Sequence, residues 1–201
     1  LFIINGANLV DGFNGLLIIH LIIINFILLV LNLNNNNQDL AIPISAQIVV
    51  LLSLLLFNFP KSKIFLGDGG SYLFGSLLAL NIIKTNNANQ EISSFFFCAL
   101  LFYLFFEVFF SFFRKLFLKK SPLKPDRKHL HMLLFNFLTK SGKFQDCNYL
   151  NSLLINLTYS FLILPSVFFY DSGFICKYWF FSLLILYLVF YSILYSFEKK
   201  Q

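Results

Sequence analysis

The sequence predicts an all-α protein, a polytopic transmembrane helix bundle with about six spans, and three observations lead there. Hydrophobic residues make up 58% of the chain against 12% charged, with a mean hydropathy of +0.77, far above what a soluble domain carries. Apolar runs near the roughly 20 residues that a bilayer demands recur with polar gaps between them. Finally, the basic residues gather in alternate gaps.

Taken in chain order, the candidate spans lie at about 16–33, 40–57, 71–83, 92–113, 149–170 and 178–197. The third is short and rich in Gly and Ser, so periodicity alone does not establish it. Charge decides: if all six cross, Lys84 and Lys177 lie on one side and the other thirteen of the fifteen Lys and Arg on the other. Omitting the third run would place Lys61 and Lys63 opposite the large basic loop. The positive, cytoplasmic face then holds 5–15, 58–71, the long loop 114–146 and the C-terminus. No repeat or second domain emerges, so 1–201 reads as part of one membrane domain.

The chain opens on Leu1, within a few residues of a dense polar motif, and reads as truncated at its N-terminus. Cys98, Cys147 and Cys176 are far apart, which suggests neither a disulfide framework nor a zinc site. The net charge of +6 sits in loops between spans, where basic residues are ordinary and anionic lipid headgroups attract them. No nucleic-acid-binding module is recognisable, and nucleic acid is not an expected partner.

Three polar clusters share the positive face. In the first, 5–15, Asn5, Asn8 and Asp11 recur every three residues, so a helix would present two amides and a carboxylate along one stripe. Helix capping by Asn and Asp is the plainer reading. The second, 58–71, ends in Gly67-Asp68-Gly69-Gly70-Ser71, a glycine-rich turn opening an apolar helix and suited to phosphate. Asp68 would repel phosphate unless a divalent cation lies between them, and Mg²⁺ or Mn²⁺ takes such hard oxygen ligands. In the third, 121–132, two prolines stiffen the start. Arg127 can grip phosphate bidentately, Lys124 and Lys128 add charge, and His129 and His131 can donate to phosphate or bind metal. A solvated basic loop is the plainer alternative there.

In this order and spacing, the clusters resemble the polyprenyl-phosphate N-acetylhexosamine-1-phosphate transferase family, glycosyltransferase family 4. Residues 5–15 are similar to its N-x-x-N-x-x-D-G-x-(D/N)-G segment, 65–71 to F-x-G-D-x-G-S, and 121–131 to S-P-x-x-P-D-R-x-H-x-H, in register from Glu107 through Arg114. The likeness runs to about Gly142 and lies nearer the undecaprenyl-phosphate GlcNAc-1-phosphate branch than the phospho-N-acetylmuramoyl-pentapeptide branch. It implies transfer of an N-acetylhexosamine 1-phosphate from a UDP-sugar to polyprenyl (undecaprenyl) phosphate. UMP would leave, and a lipid-linked surface glycan such as O-antigen would begin.

By the same resemblance, Asp68, Asp11, Arg127, His129 and His131 are the catalytic set, with Asp68 the ligand of Mg²⁺ or Mn²⁺. Asn5, Asn8, Asn14, Asn58, Phe65, Gly67, Lys124 and Asp126 would hold substrate. The expected partners are the UDP-N-acetylhexosamine, the lipid phosphate and the membrane, with a homodimer left open. The expected location is the bacterial plasma (inner) membrane, with active face and C-terminus cytoplasmic. Asn14 and Glu107 stand where aspartate is usual, and Met132 where a histidine often follows H-x-H. An aspartate pair that the family carries on an earlier loop lies outside these 201 residues, so the chain by itself is expected to be inactive. The runner-up is a non-catalytic phosphate- or lipid-binding membrane protein or transporter. His20 and Asn25 would be its pore candidates, although lone polar residues in spans ordinarily bond to a neighbouring helix.

Overall fold

A computed structural model describes residues 1–121 and 126–199, and among these residues it contains nine α-helices and no strand. In order they are α1 (Phe2–Val10), α2 (Leu16–Asn34), α3 (Gln38–Asn58), α4 (Gly67–Ala88), α5 (Ser94–Leu100), α6 (Phe102–Phe117), α7 (Leu130–Ser141), α8 (Cys147–Phe168) and α9 (Gly173–Lys199). The all-α expectation holds. Helices α1 and α7 carry two of the polar clusters and are too short to have stood out as apolar runs.

Helix α1 lies in the angle between α4 and α6, while α2 packs on α3 and α8, and α9 covers α5 and α7. Two glycines allow the central approach. A Cβ on Gly6 would run into the Leu104 carbonyl of α6, and one on Gly75 would stand 2.9 Å from the Ala7 Cβ and 3.2 Å from the Ile4 Cα of α1. Backbone thus meets backbone on both flanks of α1, the close packing that small residues permit where hydrophobic burial supplies no drive between helices.

The expected span 92–113 is broken. Helices α5 and α6 meet at Leu101 with a 72° bend. A bend frees backbone groups that hydrocarbon cannot satisfy. The Tyr159 hydroxyl of α8 meets that need by donating to the Leu100 carbonyl at 2.6 Å.

Polar side chains inside the bundle pair with one another. Asn25 of α2 accepts from Asn81 of α4 at 3.1 Å, and Asn81 also donates to Gln47 of α3 at 2.8 Å. One level along, Asn32 donates to Thr85 at 2.8 Å, and at the helix ends Asn35 and Asn37 both donate to Asn89. His20 faces the Asn156 Oδ1 at 3.2 Å. Such amide ladders fix the rotation of α2, α3 and α4 about their axes.

They also lower the apolarity of α4. Helices α2, α3, α8 and α9 are long and apolar enough to cross a membrane, and α5 with α6 makes a fifth if the bent pair is one span. The run expected at 71–83 lies in α4, whose 22 residues suffice in length, but Gly, Ser, Asn and Thr keep it below that apolarity. Four to five of the expected six spans thus stand out by length and apolarity, while α4 runs from Asp68 beside α1 to its C-cap Asn89 beside the turn between α2 and α3 and so joins the two ends of the bundle.

Gly6→Val should destabilise the bundle by about 1–3 kcal/mol through overpacking against Leu104. Gly12→Ala, where a Cβ meets nothing within 4 Å, should change stability by less than about 0.5 kcal/mol. Denaturation midpoints in detergent micelles check both.

Candidate active site

The first two clusters meet at the start of α4. Asn8, on the last turns of α1, donates from Nδ2 to Asp68 Oδ1 at 2.9 Å and to Ser71 Oγ at 3.1 Å. Ser71 is buried and turns its hydroxyl back to the Asp68 carbonyl at 3.1 Å. Asp11 lies just beyond the end of α1 and accepts from the Gly67 N–H. Gly67 has φ +65, so the chain enters α4 through the left-handed region that a side chain would strain. Burial raises the Asp11 carboxyl to about 6, with the Gly67 hydrogen bond opposing and the neighbouring Asp68 charge adding to the rise. Two carboxylates, a glycine-rich helix N-terminus and an amide clamp thus share one rim, with Asp68 exposed to solvent.

This rim suits a hard divalent cation. Magnesium is ordinarily held by one or two carboxylates together with phosphate oxygens rather than by a closed protein cage. No group of three His, Cys, Asp or Glu that could hold a metal by itself occurs among the described residues.

The 58–66 segment is held by Asn58, which is 2% exposed. Its Oδ1 accepts from the Gly15 N–H at 2.5 Å, while its Nδ2 donates to Ser62 Oγ and to the Ile64 carbonyl at 2.7 Å. Expected on the substrate, Asn58 instead spends its amide on tying this loop to the first cluster. Asn14 behaves similarly, with its N–H donating to Asn148 and its Nδ2 to the Pro60 carbonyl at 2.8 Å. Asn5 is exposed and bonds back to the Leu1 carbonyl, whereas Phe65 and Gly67 are exposed beside Asp68 in the chain.

Glu107 organises the third cluster. Its carboxylate, 1% exposed, accepts the Leu130 N–H at 3.1 Å and lies 3.2 Å from His129 Nδ1 and 3.8 Å from His131 Nδ1. It therefore receives the N-terminus of α7 and holds the two imidazoles stacked, with ring centroids 5.5 Å apart. A carboxylate at Nδ1 accepts the hydrogen bond from that nitrogen and so fixes the His129 ring, with Nε2 turned away from Glu107.

His131 is placed differently from expectation. It is fully buried, its Nε2 has no partner, and burial lowers its imidazole to about 4 despite the pull of Glu107, with His129 adding to the fall. It is therefore neutral at pH 7 and serves as a packed ring: Phe13 of the first cluster sits edge-on to it, centroids 5.7 Å apart. That contact joins the first and third clusters.

Asp126 pairs with Arg114 at 2.7 Å and accepts the Lys128 N–H at 3.0 Å. Burial would raise its carboxyl, but the Arg114 guanidinium outweighs this and holds it below the usual range. Arg127 is exposed, and Lys124 lies outside the described residues. Helix α9 steadies the segment: Tyr191 donates to the Lys128 carbonyl at 3.1 Å, and Lys128 donates to the Tyr195 hydroxyl at 3.3 Å. These tyrosines, with Tyr187, recur every four residues and so share a helix face, a signal in the sequence that could have marked α9 as a partner.

Comparison with known proteins bears on this arrangement. The glycosyl transferase family 4 model matches residues 1–86. Among curated proteins, an undecaprenyl-phosphate alpha-N-acetylglucosaminyl 1-phosphate transferase of Thermotoga maritima is 32% identical over 159 residues, which are 79% of this chain and 45% of that protein. A phospho-N-acetylmuramoyl-pentapeptide-transferase of Leuconostoc mesenteroides is 39% identical over 79 residues, 39% of this chain and 25% of that protein. One from Dictyoglomus turgidum is 38% identical over 81 residues, 40% of this chain and 26% of that protein. The chain thus spans less than half the length of these relatives, and no solved structure matches it.

A carboxyl raised in the folded state adds stability below its unfolded pKa and loses it as pH rises through the folded value. For Asp11 that window runs from about 4 to about 6. In metal-free buffer, Asp11→Asn should therefore gain stability relative to the parent as pH rises from 4 to 7, checked by melting midpoints across that range. Glu107→Ala strips the acceptor from Leu130 and His129, and hydrogen exchange over 126–134 should quicken by about tenfold or more.

Proposed function

The chain belongs to glycosyl transferase family 4 through residues 1–86, and from that premise we propose that the protein moves an N-acetylhexosamine 1-phosphate from a UDP-sugar to a polyprenyl phosphate, releasing UMP. The observation that supports this most is the union of Asn8, Asp11 and Asp68 at the N-terminus of α4, drawn from motifs about 60 residues apart.

Asp68 and Asp11 would hold Mg²⁺ or Mn²⁺, which supplies positive charge against the diphosphate. The chain's own groups do the rest. Asn8 fixes the rotamer of Asp68, the Gly67 N–H orients Asp11, and the start of α4 turns the positive end of its dipole towards a phosphate. The exposed Arg127 guanidinium, on a segment anchored by Asp126 and Glu107, adds positive charge where the leaving phosphate gains negative charge. His129 is held at Nδ1 by Glu107, which orients its ring. Direct attack of the lipid phosphate oxygen on the β-phosphorus needs no covalent enzyme intermediate.

A bacterial plasma membrane setting fits this chemistry, with the polar clusters and the C-terminus facing the cytoplasm, where UDP-sugars reside and where the basic residues would then gather. The Thermotoga relative's name favours GlcNAc as the sugar, and a lipid-linked surface glycan is the product class. The pore reading loses support because His20 and Asn25 are 0% and 1% exposed and bonded to neighbouring helices.

The test is UMP release by membranes expressing the complete gene, given UDP-GlcNAc, undecaprenyl phosphate and Mg²⁺. Release should require the lipid and the metal, and Asp68→Asn should lower the rate by about 10²-fold or more. Absence of release across a panel of UDP-N-acetylhexosamines, with folded protein in the membrane, would overturn the reading.

A further inference from the structure

Where α6 ends, the chain builds a cationic recess whose exposed lysines, Lys119 and Lys120, have no part in the transfer chemistry. The last turn closes with Leu118 N–H to the Arg114 carbonyl, Lys119 N–H to Leu116 and Lys120 N–H to Lys115 at 2.8 Å. Lys119 takes the left-handed conformation, φ +54, at the position where glycine ordinarily ends a helix. A lysine held there is strained where glycine would not be. The reversal gathers Arg114, Lys115, Lys119, Lys120 and Lys128 around a cavity of about 460 Å³, with Asp126 the one carboxylate in its wall among the described residues. Arg114 is already committed to Asp126 and Lys128 to Tyr195, whereas Lys119 and Lys120 are exposed.

A second feature narrows the ligand. On the same two turns Phe113, Leu116, Phe117 and Leu118 are 40%, 47%, 84% and 49% exposed. A soluble anion has no use for this apolar rim, and a soluble loop would not display it. A basic recess bordered by aromatic and aliphatic side chains at the end of a membrane-facing helix matches an amphipathic anion, charged at the head and apolar below.

We propose that the recess at the end of α6 is a binding site for the phosphate head of an anionic membrane lipid, with Lys119 and Lys120 gripping the phosphate and Phe117 and Leu118 lying along its chains. None of its lining residues belongs to the Asp11–Asp68 rim, so binding at the recess is measured without reference to the transfer reaction. A lipid seated here would press on the Arg114–Asp126 pair and thereby steady the segment that carries Arg127, His129 and His131.

The test places the full-length protein in nanodiscs and measures immobilisation of spin-labelled phosphatidylglycerol against spin-labelled phosphatidylcholine. Phosphatidylglycerol should be preferred, and Lys119→Gln with Lys120→Gln should reduce that preference by roughly fivefold per lysine, as expected for basic residues at an anionic surface. Lys119→Arg with Lys120→Arg should retain the preference, which separates lost charge from lost folding. Removing equal charge at Lys61 and Lys63 should reduce it less than twofold. Loss as large from that distant pair, equal immobilisation of both lipids, or displacement of the label by 10 mM inorganic phosphate (a concentration of about that order against surface screening) would each overturn the proposal.

Discussion

Everything at the polar end of this bundle depends on how closely α1 lies against α4 and α6. Gly75 brings α4 down onto Ile4 and Ala7, and Gly6 brings α1 down onto the Leu104 carbonyl. From those two contacts the rest follows by helix geometry. One turn beyond Gly6, Asn8 and Asp11 reach the N-terminus of α4, and one turn beyond Leu104, Glu107 reaches the start of α7. A larger residue at either glycine would part the helices and move the carboxylates and the histidine segment together.

Polar groups within the bundle serve this geometry rather than a passage through it. The Asn25–Asn81–Gln47 and Asn32–Thr85 bonds set α4 against α2 and α3, and so decide which way Asp68 and Ser71 face at its end. Tyr159 stabilises the break at Leu101 by satisfying the freed carbonyl, and the break aims α6 so that Glu107 meets α7. Helix α9 completes the support with Tyr191 and Tyr195 under Lys128. Each polar bond in the membrane region is worth little alone, about 0.6 kcal/mol on average, and acts by choosing one arrangement among several apolar ones.

Much of this was legible in the sequence. Long apolar runs gave α2, α3, α8 and α9 within a few residues, because a bilayer imposes length and apolarity on each helix separately. The three-residue rhythm of Asn5, Asn8 and Asp11 pointed to one helical stripe, and Asn8 and Asp11 do share a site with Asp68. What could not be read were properties of partners. At the bend, the Leu100 carbonyl is satisfied by a hydroxyl 59 residues away. Asn58 and His131 look like ligand residues in a linear motif, yet Asn58 is consumed by Gly15, Ser62 and Ile64, and His131 is sealed beneath Phe13. Glu107 read as a stand-in for a usual aspartate, and its meaning came with the Leu130 N–H and His129 it receives. The polarity of α4, which removed it from the apolar spans, is the cost of pairing with α2 and α3.

The central claim is that α1 and α4 join two separate motifs into one site through Asn8 and Asp68. A double-mutant cycle on folding stability, with Asn8→Ala, Asp68→Ala and the pair together, measures that junction directly. If the two residues meet as described, the cycle gives a favourable coupling on the order of 1 kcal/mol, as for a hydrogen bond to a charged group. Strict additivity of the two substitutions would contradict it, and the motifs would then be neighbours in sequence pattern without being one site.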